Sequence, residues 1–476
     1  MTTAETSTAP VGAAAGPPNA SSGLKIAALA TGFVMATLDV TIVNVAGATL
    51  QERLHAGLTQ LTWIVDGYIL SFASLLMLAG SLADRRGAKT VYTWGMGLFV
   101  LASLACALSP SAGFLIAARV LQGAGAALFM PSSLSLLVAA FPEKRQRTRT
   151  LGLWSAVVAT SSGIGPTLGG LMVSTLGWQS VFLLNLPIGV LGMLMTRRFI
   201  TATAPRPVKV TVPGHLLWIA GLAALSFALI EGPHLGWTAG PVTAAYAVAA
   251  AAGTALVVRE RRGGNPVMPW GLFASRGFSG ANLVGFCFNF SLFGSIFMLG
   301  LFFQHAQGAD PFVAGLELVP ITVLSPLANV AYARISGRFA NGPLLTVFLL
   351  LAGVASLAMT AISPSTPYWL IAVGIGLANL GSGIVSPGMT AALVDAAGPA
   401  HANTAGSVLN ANRQIGSLVG IAAVGAVLQA TSDWGTGVGA GFLLIGAVYL
   451  LGSAFAWLLV ARSERRTTGA EAPAAA

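Results

Sequence analysis

Acidic residues are scarce in this chain, 14 in 476 positions, and several fall inside long apolar runs. Asp39 lies in the run 24–48. A charge at the centre of a bilayer costs about 2.5–3.5 kcal/mol on insertion scales, and such residues mark functional sites by default. Burial and a neighbouring cation pull protonation of such a group in opposite directions, which suits a proton carrier. The competing reading is a polar residue that packs between helices and bonds to backbone. Arg119 lies in the outer part of another run, 112–139, and can meet Asp39. Protonation of Asp39 would then weaken an attraction and shift an equilibrium between two arrangements; the alternative is a static pair. Glu317, in the run 313–333, and Asp66, one turn inside the run 60–82, are further proton-coupling candidates. Glu317 suits coupling or substrate contact, and Asp66 equally suits an entrance or helix cap. Glu231 precedes Gly232 and Pro233 and reads as interfacial. Arg413, beside Asn410, Asn412 and Gln414, reads as a tie between helices or to the interface rather than as a substrate contact.

Other chemistries lack their residues. No GxxxxGK[ST] motif occurs, so the chain carries no ATPase of its own. The five histidines show no metal spacing, and the two cysteines, Cys106 and Cys287, form no CxxC. No nucleophile–base pair converges, so no enzyme is expected. Uphill work would draw on an ion gradient or on a partner, with no cofactor and no metal.

The elements that must position these residues are membrane spans. Hydrophobic residues make up 55% of the chain and charged residues 8%. Soluble domains carry about 25% charged residues, so an ordinary soluble protein is excluded. A span needs roughly 20 apolar residues. Fourteen such runs can be marked, from 24–48 to 438–460, with short connections. The balance of 24 Lys and Arg against 14 Asp and Glu gives a net charge of +10. With the N-terminus inside, only Arg53 falls in an outer segment and only Arg119 and Arg413 fall within spans. That alternation satisfies the positive-inside rule with both termini cytoplasmic, and explains the charge without nucleic acid. The composition of residues 1–22 marks a disordered tail, and 462–476 a second one.

The chain divides into residues 23–199 with six spans, 200–260 with two, and 261–461 with six. The segment Gly80 to Gly87 after the second span has a worn counterpart from Ala333 to Ala340 after the tenth. Internal repeats of this kind are typical of secondary transporters, with the site at the repeat interface.

Four motifs carry a family resemblance. Gly80-Ser-Leu-Ala-Asp84-Arg85-Arg86-Gly87-Ala88-Lys89 resembles motif A of the major facilitator superfamily. Leu115 to Ala127, with Arg119, Gln122, Gly123 and Gly125, is similar to motif B. Gly152, Ser161, Gly165, Pro166, Gly169 and Gly170 follow the spacing of motif C, the antiporter signature, with Ser161 where Gly is usual. Leu38 to Ala46 resembles the first-span motif of the fourteen-span drug:proton antiporter branch, although Gly47-Ala48 replace the usual Leu-Pro.

The resemblance implies an all-α polytopic membrane protein of the major facilitator fold, two six-helix bundles plus two extra central spans. It implies a proton-coupled antiporter that exports a small antibiotic from a bacterial cell, and links Arg119 to proton transfer. Its partners would be the antibiotic, protons and the bilayer, with no nucleic acid, and the protein would be a monomer. Multidrug export of lipophilic cations is the alternative, and proton-coupled uptake a weaker one. Motif A (Gly80, Asp84, Arg85, Gly87, Lys89) would act as a conformational latch, with Asp84 facing a helix N-terminus and Arg85 and Lys89 facing acids or helix C-termini. Motif C (Gly152, Gly165, Pro166, Gly169, Gly170) would give a bent span, closely packed against its neighbours, that seals the centre. The phenylalanines of the ninth span, Phe286, Phe288, Phe290, Phe293, Phe297 and Phe302, are expected to face lipid in the main.

Overall fold

A computed structural model describes residues 20–141, 143–202, 205, 211–262, 270–336, 338–398 and 401–465. Those residues form helices and connections, with no strand among them. In hydrocarbon each backbone amide must be satisfied within its own segment, and the helix is the open-ended structure that does so. In chain order the helices are α1 (Ala20–Val45), α2 (Gly47–Leu54), α3 (Leu58–Arg86), α4 (Ala88–Ala107), α5 (Ala112–Ala140), α6 (Lys144–Leu176), α7 (Gln179–Leu183) and α8 (Asn185–Phe199). There follow α9 (Val212–Leu235), α10 (Gly240–Arg262), α11 (Trp270–Phe273), α12 (Arg276–Leu301), α13 (Pro311–Glu317) and α14 (Val319–Ile335). The last are α15 (Asn341–Ala358), α16 (Tyr368–Leu380), α17 (Ser382–Ala397), α18 (Ala402–Ala430) and α19 (Trp434–Phe455).

Among the described residues, 13 helical segments are long and apolar enough to cross a membrane. The protein is therefore a multi-pass membrane protein. The remaining expected span, 152–174, lies within α6, whose apolar portion by the same measure is Ile164–Leu176. Three expected spans are each built from two helices, broken at Leu184, Leu318 and Gly381. The tails differ from expectation at their inner edges. Helix α1 begins at Ala20, and helical structure continues to Arg465, whereas residues 1–19 and 466–476 lie outside the described residues. Gly337 of the worn repeat, with Arg206, Lys209 and Arg466, also lies outside them.

Helix starts carry their own caps. Ser111 accepts from Phe114 N (3.3 Å), Asp310 from Phe312 N (2.8 Å) and Asp433 from Thr436 N (2.8 Å). Asp433 is thereby held below the ordinary carboxylate range, the Thr436 amide being the chief cause. The turn between α3 and α4 rests on Gly87, at φ 90 and ψ 131. Side chains rarely adopt that conformation. Gly87→Ala is expected to cost about 1–3 kcal/mol, read as a lower thermal unfolding midpoint; an unchanged midpoint would contradict the strain.

Helices α1, α3–α6 and α8 pack together, and α12 and α14–α19 form a second group. In the first, α4 and α5 approach backbone to backbone. A methyl added at Gly95 would lie 2.8 Å from Gly125 O, and one at Gly125 would lie 2.9 Å from Gly95 O. Tyr92, Phe129, Phe99 and Tyr68 continue this contact as successive ring pairs. The groups meet through α3 with α18, α6 with α13 and α14, and α1 with α12. Several of these junctions lie away from the chain ends. Thr59 bonds Gln429 (3.0 Å), Gln304 donates to Val45 O (2.9 Å), and His305 bonds Gln51 (3.1 Å). On the side of the chain ends, Lys89 bonds within the first group and Glu464 within the second. Helix α9 packs on both α3 and α18, with α10 against it.

The span-nine phenylalanines depart from expectation. Phe288, Phe290, Phe297 and Phe302 are buried, and Phe286 and Phe293 are half-buried. The cause is the central place of α12, which packs against α17, α18 and α19.

Candidate functional site

Asp39 and Arg119 meet inside the first helix group as a buried ion pair between Asp39 Oδ2 and Arg119 Nη1. Five further residues complete the cluster. Arg119 Nη1 also donates to Gln122 Oε1 (2.6 Å), and Gln122 Nε2 donates to Asp39 Oδ1 (2.8 Å). Gln122 Nε2 reaches Ser103 Oγ (2.9 Å), and Asn185 Nδ2 lies 3.3 Å from both Asp39 Oδ1 and Ser103 Oγ. Arg119 Nε donates to Ile64 O (3.0 Å), and the guanidinium carbon stands 4.4 Å from the Tyr68 ring centroid. Asp39 is 2% exposed, Arg119 1% and Gln122 0%, so the cluster is sealed from water in this conformation.

The partners come from five helices: Asp39 from α1, Tyr68 and Ile64 from α3, Ser103 from α4, Arg119 and Gln122 from α5, and Asn185 from α8. One pattern was visible in sequence, since Gln122 is three residues from Arg119 and shares its helix face. Ser103, Asn185, Tyr68 and the Ile64 carbonyl gave no comparable signal. A buried pair is costly unless further hydrogen bonds satisfy it, and those neutral groups supply them.

The other membrane acids stay apart. Asp66 is fully buried and neither carboxyl oxygen has a hydrogen-bond partner. It lies one turn from Thr62, which faces Gly425 of α18, so it belongs to the α3–α18 seam. Glu317 is half-buried at the end of α13, with Oε2 unpartnered, and its backbone carbonyl accepts from Tyr368 Oη (3.3 Å). Glu231 is no plain interfacial residue: its Oε1 accepts from Trp63 Nε1 (2.7 Å) and ties α9 to α3. Trp63→Phe is expected to cost about 1 kcal/mol in unfolding free energy; a variant as stable as the parent would show that the bond contributes nothing.

Motif A is divided. Lys89 Nζ donates to Ile200 O (2.6 Å) and Arg197 O (3.3 Å), the carbonyl end of α8. Asp84 and Arg85 are exposed at the end of α3. Gly80 has open space around it, and Gly87 makes the turn. Motif C lies along α6, whose first half includes Gly152. Gly165 lies against the Thr41 hydroxyl. A methyl at Gly169 would stand 2.8 Å from Ile42 Cγ2, and one at Gly170 2.8 Å from Phe312 Cα. Pro166 lies inside α6, opposite Gly315 of α13. Motif C therefore packs α6 against α1 of the first group and against α13 at once. Beside it a crevice of about 450 Å³ opens between α1 and α6, lined by Val34, Leu38, Val157, Ile164, Leu168, Thr160 and Ser161.

Among the described residues no cluster of His, Cys, Asp or Glu could hold a metal. What remains is a membrane bundle built around a buried ion pair, and ionisable residues inside spans mark substrate and ion pathways.

The model of the Major Facilitator Superfamily matches residues 29–421 and 283–475, and the chain belongs to that family. It is 72% identical over 446 residues to the methylenomycin A resistance protein of Streptomyces coelicolor, covering 94% of each chain. It is 45% identical over 434 residues to the methylenomycin A resistance protein of Bacillus subtilis, covering 91% of this chain and 93% of the relative. It is 36% identical over 413 residues to multidrug resistance protein Stp of Mycobacterium tuberculosis, covering 86% of this chain and 76% of the relative.

Proposed function

We propose that this transporter exports methylenomycin A from a bacterial cell in exchange for protons, by alternating access. Two relatives named for resistance to that antibiotic support the substrate. The observation that carries the coupling is the buried Asp39–Arg119 pair. Arg119 has other ligands, Ile64 O, Gln122 Oε1 and the Tyr68 face. When Asp39 accepts a proton, the guanidinium stays held while the carboxyl is released. The pair thus has two tolerable states, which is what a coupling element requires. Asp66 and Glu317 are the second-line coupling groups, on the α3–α18 seam and at the end of α13, which packs on α6. The protein works with a proton gradient and no cofactor, as a monomer.

The reading places fourteen spans in the bacterial plasma membrane, α6 supplying the fourteenth, with both termini cytoplasmic. Residues 23–199 and 261–461 form the two moving bundles and 200–260 the pair between them. The inter-group bonds at Thr59, Gln51 and Val45 then close the outer side, and this conformation loads from the cytoplasm. Lys89 latches α4 to α8 on the inner side, and the motif C glycines seal the centre.

The test is antibiotic accumulation in cells expressing the chain. Methylenomycin A should be excluded, and an uncoupler should abolish exclusion. Expulsion of cationic dyes with methylenomycin A untouched would replace this reading with multidrug efflux; gradient-driven uptake of either would replace it with symport.

A further inference from the structure

Two arginines lie within the spans, and their surroundings differ sharply. The Arg119 guanidinium meets a carboxylate, an amide, a backbone carbonyl and an aromatic face. The Arg413 guanidinium, in the first half of α18, has no hydrogen bond, ion pair or ring contact with any described residue. Its guanidinium therefore ties no described helices together, which was one of the two roles expected of it, the other being a reach to the interface.

Its stem is nevertheless held in place. A methyl at Gly285 of α12 would lie 3.5 Å from Arg413 Cγ, 3.5 Å from Met389 Sδ and 2.8 Å from Leu409 Cδ1. The absent side chain at Gly285 leaves room for the stem at the junction of α12, α17 and α18. Nearby amides are turned to backbone: Asn412 donates to Asn282 O (2.5 Å) and Asn289 to Gly285 O (2.9 Å). No described acid pairs with the guanidinium. Arg413 is half-buried, so the described residues leave part of its surface uncovered.

We propose that Arg413 binds the transported molecule, and that this molecule carries a carboxylate; the proposal rests on the export reading above. A charge in a span is costly unless it is paired or faces a water-filled cavity. A guanidinium is permanently charged, and its planar fork fits a carboxylate with two parallel bonds. An anion arriving there meets a cation with no competing partner among the described residues. A lipophilic cation meets repulsion, which favours a narrow acidic substrate over multidrug cations. The same helix carries Gly425 and Gln429 to the α3 seam, so an anion at Arg413 loads the element that closes the opposite side.

The test uses the full chain in phosphatidylcholine nanodiscs, with cyclohexanecarboxylate and its methyl ester as probes of thermal protection. The acid should bind at least about tenfold more tightly than the ester, the difference that a charged hydrogen bond supplies. Arg413→Gln should remove that preference, and Arg413→Lys should keep part of it. Equal binding of acid and ester by the parent chain would overturn the proposal without any variant. So would inorganic phosphate protecting as well as the acid, or Arg413→Gln retaining the preference. Because binding is read without a gradient, failure here with export of methylenomycin A intact removes only the role of Arg413. Loss of export by the parent chain removes the export reading instead.

Discussion

Asp39→Asn is expected to abolish gradient-driven export while leaving the protein folded. The substitution keeps the shape of the carboxyl and removes its charge and its proton. The amide oxygen can face Arg119, and its NH2 can donate to Asn185 once that side chain turns its own oxygen round. Gln122 keeps its oxygen on Arg119 and its NH2 on Ser103, so the guanidinium stays satisfied. Asp39→Ala is a harsher change. It strands a buried guanidinium, and breaking a buried pair from one side costs about 3–5 kcal/mol. The two variants therefore separate coupling from stability. In vesicles, the Asp39→Asn protein should be present at parental levels and export nothing against a gradient. Export at the parental rate would move coupling from Asp39 to Asp66 or Glu317.

Gly170→Val should cause a comparably large loss by a different route. Gly170 of α6 lies against Pro311 O and Phe312 Cα of α13, and Gly315 of α13 lies in turn against Pro166 O. Both sides of this seam are backbone, so no side chain can swing aside. Interiors resist even small volume changes, and a branched side chain here must push α6 and α13 apart. Within each helix group the packing is untouched, so the protein should fold. The conformation closed at this seam should lose population, and export should fall at least about tenfold for each 1.4 kcal/mol by which it is disfavoured. Cross-linking of cysteines placed on α6 and α13 measures this directly: less cross-linking with lost export is expected. Unchanged export would show that the seam opens no further than a valine allows.

The sequence carried some of these features and hid others for physical reasons. Apolar length and the placement of Lys and Arg reveal spans, because the bilayer imposes both. Asp39 and Arg119 stand out because charge in a span is rare. The neutral members of their cluster do not: Ser103, Asn185 and Tyr68 matter through the rotation of their helices, which local pattern does not determine. Breaks at Leu184, Leu318 and Gly381 leave hydrophobicity uninterrupted and show only as local signals, Pro187 and Pro320 just inside the following helices and Gly381 itself. The buried phenylalanines of α12 show the same limit. A helix that is apolar all round reads alike whether it faces lipid or its neighbours. A tie between helices, a reach to the interface and a substrate contact at Arg413 look alike in sequence and differ only in what stands opposite.

The central claim is the exchange of antibiotic for protons through Asp39. It is tested most directly in proteoliposomes holding a pH-sensitive dye, with an imposed proton gradient and methylenomycin A added to one side. The account predicts that the antibiotic starts a proton flux opposite to its own movement, and that Asp39→Asn shows none. Antibiotic movement with no accompanying proton flux, in the parent protein, would contradict it.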